Sequence, residues 1–352
     1  MSNFFNWTLK VIATFKKDIG FKIGSFLVAT GVFILSGGFV FSAKYQNAAG
    51  ETLEISYDNA LSWWLIGLGT VFCFAGLLVL VNRYYLFGKT KDAILIYASG
   101  FQNQYPGPPV ASLPLIDRFT ATTIIFSIED SYDTSEIILE YAYYKKLIAN
   151  RQDYETAKTI YLAGLGSVPY LFSVGALFRD GHAIVTLLEH ERTTGWHTLK
   201  HFGEENPLIY LLNNQKIDLD AAILKIQANK HNQIALALSF TFDIVITQLP
   251  QGMGTNTLFL VPGSGSSYDA FSSENVQNKT MKLVAHTMQR LAAKADEVHL
   301  FIAAQSSVVM NLGRLYQNGA HGPLVIHNYD PDQKKYAWAI RFNKGNIGKY
   351  TI

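Results

Sequence analysis

Two stretches of the chain show the same order of apolar and polar positions. In VHLFIAAQSSVVMNLGRLY (298–316), a short apolar run typical of a buried strand precedes apolar positions at helical spacing. Ser306 and Ser307 separate the two parts and are suitable N-cap residues, because a hydroxyl accepts a free N–H of the first helical turn. TIYLAGLGSVPYLFSVGALF (159–178) repeats this layout. Each stretch therefore predicts a strand that leads directly into a helix.

The similarity extends to the apolar segments on both sides of these stretches. The corresponding segments are Ala93–Ser99 and Ile234–Phe240, Thr123–Ser127 and Thr257–Val261, and Ala183–Glu189 and Pro323–Tyr329, with Trp196 and Tyr336 following the last pair at equal distance. The nearly constant separation of these pairs indicates an internal duplication. Strands and helices alternate in each repeat, which predicts a mostly parallel α/β sheet.

The turn from strand to helix in each repeat is a candidate binding site. Such a turn exposes backbone N–H groups at the positive end of a helix, which suits an anion such as phosphate. Ligands of parallel α/β sheets bind beyond the carboxyl ends of the strands. We therefore predict one pocket between two facing repeats, bounded by Gly164–Ser167 and Gln305–Ser307. The alternative is that both turns are ordinary connections that bind nothing.

The N-terminal quarter contains two uncharged segments, residues 23–43 and 60–81. As helices, both are long enough to cross a hydrocarbon core about 30 Å thick, so they predict membrane spans. A cleaved signal peptide is an alternative for the first, but its apolar run is too long and no small-residue cleavage site ends it. Basic residues outside the spans predict that both termini are cytoplasmic. Residues 1–22 predict an interfacial helix, with an apolar cytoplasmic leader as the alternative.

Small residues recur every seven positions in each predicted span. They are Gly24, Gly31 and Gly38 in the first span and Ser62, Gly69 and Gly76 in the second. Such stripes let helices approach closely, so they predict a hairpin of the two spans, with packing between chains as the alternative. Neither span holds an ionisable residue, which argues against a charge-lined selective pore.

Composition and motifs exclude several function classes. The net charge of +2 provides no broad basic surface for duplex nucleic acid. Cys73 is the one cysteine, which excludes intrachain disulfides and cysteine zinc sites. The chain has no P-loop sequence, GLG (164–166) lacks the third glycine of a dinucleotide fingerprint, and GSGSS (263–267) is not a nucleophile elbow. We therefore predict no catalytic residue, no metal site and no cofactor.

At the carboxyl end, HLFIAAQSSVVMNLGRLY and GPLVIHNYDPDQKKYAWAI resemble the end of SAVED domains, and ALALSFTFDI (235–244) resembles the start of their second lobe. The resemblance covers roughly residues 91–343 and is more specific in the second lobe. SAVED domains are two fused CARF-like lobes that bind cyclic oligonucleotides, which a nucleotidyltransferase makes during phage infection. Two spans joined to such a domain are similar to two-transmembrane SAVED effectors of bacterial anti-phage signalling (CBASS).

The resemblance implies a membrane-anchored α/β protein with an interfacial segment (1–22), a transmembrane hairpin (23–87) and two Rossmann-like lobes (88–220 and 221–352). It implies a receptor for a cyclic di- or trinucleotide, functionally linked to a CD-NTase-type nucleotidyltransferase. Ligand binding is expected to drive homo-oligomerisation and to permeabilise the inner-membrane lipid bilayer in abortive defence. The alternatives are a membrane-tethered nucleotide-binding module without pore activity and a phosphodiesterase that degrades the messenger.

The expected ligand contacts follow from both lines of reasoning. A cyclic oligonucleotide offers phosphates to helix N-termini and bases to aromatic rings. Three of the aromatic candidates are expected to stack on bases unless they belong to the core. The candidate ligand-binding residues are Ser99, Gly100, Phe101, Gly164, Leu165, Gly166, Ser167, Tyr170, Trp196, Ser239, Thr241, Gln305, Ser306, Ser307 and Tyr336; the three stacking candidates are Tyr170, Trp196 and Tyr336.

Overall fold

The chain forms two compact units, Met1–Lys91 and Asp92–Ile352. The computed structural model describes residues 17–35, 43–46, 52–55, 63–82, 93–101, 107–151, 154, 157–179, 183–191, 194–268, 270–317 and 319–351. Residues 1–16 of the expected interfacial segment lie outside the described residues. The predicted domain boundaries after residues 22, 87 and 220 stay predictions.

The N-terminal unit contains two helices, α1 (Lys17–Leu35) and α2 (Trp63–Asn82). Between them in the chain, strands β1 (Ala43–Gln46) and β2 (Thr52–Ile55) pair antiparallel. The two helices overlap the segments 23–43 and 60–81 that the sequence predicted to be helical, but neither has the predicted ends.

No helix in the described part of the chain is both long and apolar enough to cross a membrane. The predicted membrane-anchored fold, with spans at 23–43 and 60–81, and the predicted inner-membrane location are therefore wrong. Helix α1 begins with charged residues and ends at Leu35, so its uncharged part rises only about 20 Å, against about 30 Å of hydrocarbon. Helix α2 begins at Trp63 rather than at residue 60 and ends at Asn82.

Helices α1 and α2 pack against each other at the predicted small residues. A methyl group on Gly31 would lie 2.7 Å from the carbonyl oxygen of Gly69, and one on Gly76 would lie 2.8 Å from that of Gly24. These distances leave no room for a side chain, so the two helix backbones touch. The two helices therefore contact each other at these four glycines, although the predicted hairpin of membrane spans is not supported; Gly38 and Ser62 lie outside the described residues.

The first lobe of the second unit is built on a five-stranded sheet with the order β4-β3-β5-β6-β7. Neighbouring strands are parallel, except that β7 is antiparallel to β6. The elements are β3 (Ala93–Ser99), a 3-10 helix (Val110–Ser112), α3 (Leu115–Thr120), β4 (Thr122–Ser127), α4 (Thr134–Ala149), β5 (Thr159–Leu165), α5 (Val168–Leu177), β6 (Ile184–Glu191) and β7 (Gly195–Thr198).

The second lobe is built on an eight-stranded sheet with the order β15-β14-β13-β12-β10-β11-β8-β9. The four central strands β11, β10, β12 and β13 are parallel, and the outer strands are antiparallel. The elements are β8 (Leu208–Leu212), β9 (Gln215–Ile217), α6 (Leu219–Lys225), β10 (Gln233–Ser239), a 3-10 helix (Ile246–Gln248), β11 (Thr257–Pro262), α7 (Glu274–Ala292), β12 (Glu297–Ala303), α8 (Ser306–Arg314), β13 (Leu324–Asp330), β14 (Lys335–Asn343) and β15 (Asn346–Tyr350).

The two sheets repeat one topology. The order β4-β3-β5-β6-β7 in the first sheet recurs as β11-β10-β12-β13-β14 in the second, with the same strand directions. The predicted internal duplication and the α/β fold of both lobes are therefore confirmed. The second sheet also contains β8 and β9, which precede residue 221 in the chain.

Burial explains why these elements form. Strands β10 and β12 are buried over nearly their whole length, as expected for parallel strands covered on both faces. Helix α7 places Met281, Val284, Met288 and Leu291 on its buried face at helical spacing. Ser273 caps this helix, because its hydroxyl oxygen accepts a hydrogen bond from the N–H of Val276 in the first turn.

Helices α5 and α8 are equivalent in the two repeats and join the lobes. A methyl group on Gly175 in α5 would overlap the carbonyl oxygen of Met310 in α8, and one on Gly313 in α8 would overlap that of Phe172 in α5. The duplication relates these two contacts, since each joins the same two positions of the repeat. The lobes therefore meet through a pseudo-twofold pair of helices whose backbones touch.

Candidate functional site

The predicted turn of the first lobe lies at the carboxyl ends of β3 and β5. The N–H of Gly100 donates to the carbonyl oxygen of Leu165 at 2.7 Å, and a methyl group on Gly100 would lie 2.9 Å from Cα of Gly166. Ser131, from the loop before α4, completes the turn: its Oγ accepts the N–H of Ser167 at 3.0 Å, and its carbonyl accepts the Ser167 hydroxyl. The structure thus brings the predicted segments 99–101 and 164–167 together.

The predicted turn of the second lobe lies at the carboxyl ends of β10 and β12. The N–H groups of Phe240 and Thr241 both donate to the carbonyl oxygen of Ala303 at 2.9 Å. Ser239 is buried, and its carbonyl oxygen accepts the hydroxyl of Ser266 at 2.9 Å. The loop 263–267 therefore folds over the end of β10. Its Gly265 has a φ of 88°, a left-handed conformation that glycine adopts without strain.

The start of α8 in the second lobe contacts a carboxylate of the first lobe. Glu189 lies in β6 and is 6% exposed, and its Oε2 accepts the N–H of Ser307 at 3.0 Å. The hydroxyl oxygen of Ser307 accepts a hydrogen bond from Nε2 of Gln277 at 2.9 Å. Oε1 of Gln277 in turn accepts a hydrogen bond from Nδ2 of Asn311. A carboxyl group of the protein itself therefore occupies the positive end of α8, where the sequence predicted a ligand phosphate.

Burial governs the ionisation of Glu189. It raises the pKa of this carboxyl group, because the charged form loses its hydration. Hydrogen bonds from Ser307 and from the N–H of His190 favour the ionised form and oppose the shift. Burial also lowers the pKa of the neighbouring His190 imidazole. Both shifts disfavour a charge at this point of the lobe interface.

The three aromatic residues predicted to stack on bases lie in packed surroundings. Tyr170 is 1% exposed, and its hydroxyl donates to the carbonyl oxygen of Phe126 at 2.7 Å. Tyr336 is buried against Phe301, with ring centroids 4.9 Å apart. Trp196 is partly buried against Tyr97. Tyr170 and Tyr336 therefore present no open ring face to a base.

Other aromatic side chains are more exposed at the two turns. Phe101 is partly exposed, with its ring centroid 6.0 Å from that of Tyr132, and Phe242 is 41% exposed beside Tyr329. Tyr132 also reaches Trp338 in the second lobe, at 6.5 Å between centroids. The sequence analysis did not select Phe242, Tyr132 or Trp338. The signal available for Phe242 was that phenylalanines follow both strand ends, at 101 after Ser99 and at 240 and 242 after Ser239, but the sequence did not show which of the latter two is exposed.

Two cavities open beside the turn of the second lobe. One has a volume of about 600 Å³ and is lined by residues 203–209, by the loop after β11 and by the start of α7, with Lys216 at its wall. The other has a volume of about 460 Å³ and is lined by Ser239, Asp243 and Val261. Both volumes are in the range of small-molecule sites. Among the predicted residues, Ser239 lines the second cavity.

The fifteen predicted residues differ in exposure. The buried ones are Gly100, Gly164, Ser167, Tyr170, Ser239, Ser307 and Tyr336, and the partly exposed ones are Ser99, Phe101, Leu165, Gly166, Trp196, Thr241, Gln305 and Ser306. A ligand can touch the second group directly, whereas the first group shapes the turns from below. Their role in binding stays a prediction.

Within the described ranges, no cluster of His, Cys, Asp and Glu side chains could hold a metal ion. The arrangement of hydroxyls, backbone amides and aromatic rings is suited to binding. That the protein has no catalytic residue stays a prediction.

Residues 143–342 match the sequence model of one family, described as the SMODS-associated and fused to various effectors sensor domain (SAVED). The matched range covers more than half of the chain and includes both strand–helix turns. The fold and this match define a two-lobed sensor domain, and the chain belongs to the SAVED family. The resemblance to SAVED domains is thereby confirmed, whereas the two-transmembrane effector type is not.

Solved structures of similar fold include Cap4 receptors that contain a SAVED/CARF domain. The receptor of Acinetobacter baumannii, solved with the cyclic trinucleotide 2'3'3'-cAAA, is 14% identical with a TM-score of 0.47, over 80% of this chain and 60% of that chain. The receptor of Moraxella osloensis is 14% identical with a TM-score of 0.41, over 82% of this chain and 57% of that chain. The present chain thus spans less than two thirds of these receptors. No curated protein matches its sequence.

Proposed function

We propose that the protein is a receptor for a cyclic oligonucleotide, a cyclic di- or trinucleotide, which lies at the carboxyl ends of the central strands of both lobes. Membership of the SAVED family supports a sensing role. Ligands of parallel α/β sheets bind at this edge of the sheet, where helices begin and strand order reverses. The protein would then read the ligand with two related but unequal surfaces.

The observation that carries this proposal is the duplicated sheet edge. Strands β3 and β10 are equivalent in the two sheets, and each ends in a serine. The backbone N–H after each serine donates to the neighbouring strand–helix turn, from Gly100 to Leu165 and from Phe240 to Ala303. Each edge also touches the opposite lobe, through Tyr132 with Trp338 and through Glu189 with Ser307. We therefore expect a single ligand to contact both edges at once.

Exposed aromatic rings at the two edges support recognition of bases. Phe101 and Phe242 each follow the end of a central strand, and both keep part of their surface accessible. Base–aromatic stacking contributes about 1–3 kcal/mol for each base and tolerates any base identity. We therefore assign the stacking role, expected earlier for Tyr170 and Tyr336, to these two phenylalanines.

Calorimetry of the full chain with a panel of cyclic di- and trinucleotides, including 2'3'3'-cAAA, tests the proposal. The Phe242→Ala variant should bind the ligand about 10- to 100-fold more weakly, as the stacking energy predicts. Leu224→Ala is the matched control, because Leu224 is exposed near the opposite end of the second sheet, beside Lys294. Wild-type protein that binds no member of the panel would contradict the receptor function.

We further propose that the ligand promotes homo-oligomerisation and that a CD-NTase-type nucleotidyltransferase supplies it. The two-lobed unit has unlike ends, with strands β4 and β7 at the edges of one sheet and β9 and β15 at those of the other, so contacts between copies can extend head to tail. Light scattering with and without ligand measures this step. Recovery of intact ligand separates a receptor from a phosphodiesterase. The expected permeabilisation of the inner membrane depended on two membrane spans, and we do not propose it because the structure does not support those spans.

A further inference from the structure

Glu189 occupies a position where a ligand anion was expected. Its carboxylate comes from β6 of the first lobe and accepts the N–H of Ser307 at the start of α8 in the second lobe. Both residues are buried, and Gln277 fixes the Ser307 hydroxyl from the other side. The first turn of α8 is therefore held by a carboxyl group of the opposite lobe.

The duplication identifies the counterpart of Glu189. In the first sheet Leu162 pairs with Leu187, and in the second sheet its equivalent Leu300 pairs with Ile326. The same step along the strands makes Asn328 the counterpart of Glu189. Asn328 is buried, and its Nδ2 donates to the carbonyl oxygen of Tyr329 at 3.0 Å. The corresponding position in the other half of the fold is therefore neutral.

A neutral residue could also accept the hydrogen bond from the N–H of Ser307. A glutamine at this position would offer a carbonyl oxygen of similar reach without the desolvation cost of a buried carboxylate. A buried carboxylate that carries such a cost is a candidate for a role in specificity rather than in stability. The geometry therefore calls for a role in which the charge itself matters.

We propose that Glu189 determines ligand specificity by keeping phosphate away from the start of α8. As regards the ligand, the inference rests on the proposed receptor function. A phosphate on the N–H of Ser306 would lie beside the Glu189 carboxylate, because Ser306 is adjacent to Ser307 at the start of α8, and like charges repel strongly at a partly buried site. A bound cyclic oligonucleotide then presents an uncharged part, a base or a ribose, to Gln305–Ser307. Its phosphates are directed to the rest of the site.

Sodium pyrophosphate is a probe that tests this without knowledge of the natural ligand. In the full chain, Glu189→Gln removes the charge and keeps an acceptor for Ser307. The variant should bind pyrophosphate at least tenfold more tightly than the wild type, with shifts of the Ser306 and Ser307 amide resonances. Glu191→Gln is the matched control, because it removes the same charge from the same strand, where the carboxylate faces His197 at 3.7 Å. Its pyrophosphate affinity should equal that of the wild type.

Equal pyrophosphate affinity of Glu189→Gln and wild type would overturn the proposal and leave Glu189 as a helix cap. If the variant does not fold, hydrogen exchange of the wild type decides. The amide of Ser307 should be protected in the free protein, and pyrophosphate should leave its exchange unchanged. Added protection would contradict the proposal. Failure of the wild type to bind any cyclic oligonucleotide would refute the receptor function but would not alter these two readouts.

Discussion

The strand–helix turns of the two lobes share a topology but complete their helices differently. In the first lobe, Ser131 of the same lobe accepts the N–H of Ser167 at the start of α5. In the second lobe, Glu189 of the opposite lobe accepts the N–H of Ser307 at the start of α8. One contact is neutral and local, and the other is charged and joins the lobes. A duplicated backbone therefore does not imply duplicated chemistry.

This difference bears on how such a sensor can respond. A ligand that moves the start of α5 disturbs contacts within the first lobe, whereas one that moves the start of α8 must also disturb Glu189 in β6 of the other lobe. We therefore expect a displacement of the second turn to reach the other lobe more directly than a displacement of the first. Both helices also meet in the glycine contacts of the pseudo-twofold pair, so a shift of one is felt by the other.

The largest expected effect on stability comes from the contact between helices α5 and α8, which follow the two turns. Gly175→Ala and Gly313→Ala should each destabilise the two-lobed unit by about 3 kcal/mol, because the added methyl group overlaps a backbone carbonyl of the facing helix. An alanine in an open helix would instead stabilise it by about 1 kcal/mol. Urea unfolding followed by circular dichroism measures both variants. Since the duplication relates the two contacts, their effects should be similar.

Gly348→Ala is the control for this pair. Gly348 lies in β15 of the same unit, and a methyl group there would meet nothing within 4 Å. Its free energy of unfolding should stay within about 0.5 kcal/mol of the wild type. Wild-type stability in both helix variants would show that the helices separate easily and that the lobes are not held by this pair.

The next largest effect on stability is expected at the turn of the first lobe, where the contact between Ser131 and Ser167 is uncharged. Ser131→Ala removes the acceptor of the buried Ser167 N–H and should cost about 1–2 kcal/mol, as expected for an unsatisfied buried donor. The variant should keep the stability contribution of the Glu189 contact, because that contact lies in the other turn. Urea unfolding measures the loss, and a change below about 0.3 kcal/mol would mean that water replaces the hydroxyl.

The fold could be predicted from the sequence because each strand and helix carries a local pattern. The apolar run before Gln305 and the helical spacing after it predicted β12 and α8, and their repetition at Thr159 predicted β5 and α5. The membrane spans failed for the opposite reason. An apolar stretch of sequence does not show where a helix ends, and the helix predicted over residues 23–43 instead covers residues 17–35.

The site was less predictable, because its decisive contact joins distant parts of the chain. Glu189 and Ser307 are 118 residues apart, and nothing in the strand that contains Glu189 marks it as the cap of another lobe's helix. The strand–helix turns themselves could be predicted, since such junctions are local features, but the role of their residues in binding stays a prediction. Tyr170 was misread as a stacking residue because its position in the first turn of α5 faces Phe126 rather than solvent.

The charge of Glu189 predicts a pH dependence of stability. Burial raises its pKa in the folded protein above the ordinary value of a glutamate, so the folded state binds this proton more tightly than the unfolded state does. The stabilising contribution is therefore complete below about pH 4.3, the unfolded value, and is lost as pH rises through the folded pKa. Glu189→Gln cannot titrate, so its stability relative to the wild type should increase as pH rises above about 4.3, the unfolded value.

Chemical unfolding of both proteins at several pH values measures this difference. A constant difference would mean that the carboxyl titrates as it does in water, and a difference that decreases with pH would mean that the ionised form is stabilised by the helix. Either result would remove the stability cost on which the special role of Glu189 is argued. The neutral turn offers a reference, because Ser131→Ala should show no such pH dependence.

The smallest expected effect comes from an ordinary helix cap. Asp133 is exposed at the start of α4, and its Oδ1 accepts the N–H of Ser135 at 2.8 Å. Asp133→Ala should cost about 1 kcal/mol or less, the usual value for a lost cap, and Asp133→Asn should restore most of it, since an amide oxygen accepts the same bond. Both carboxylates cap a helix, but the one at Asp133 is solvated. If Asp133→Asn is neutral while Glu189→Gln changes pyrophosphate binding, the charge matters at the lobe interface and not at helix starts in general. If both exchanges are neutral in stability and in pyrophosphate binding, the two carboxylates are the same kind of cap, and the difference between the turns is one of position alone.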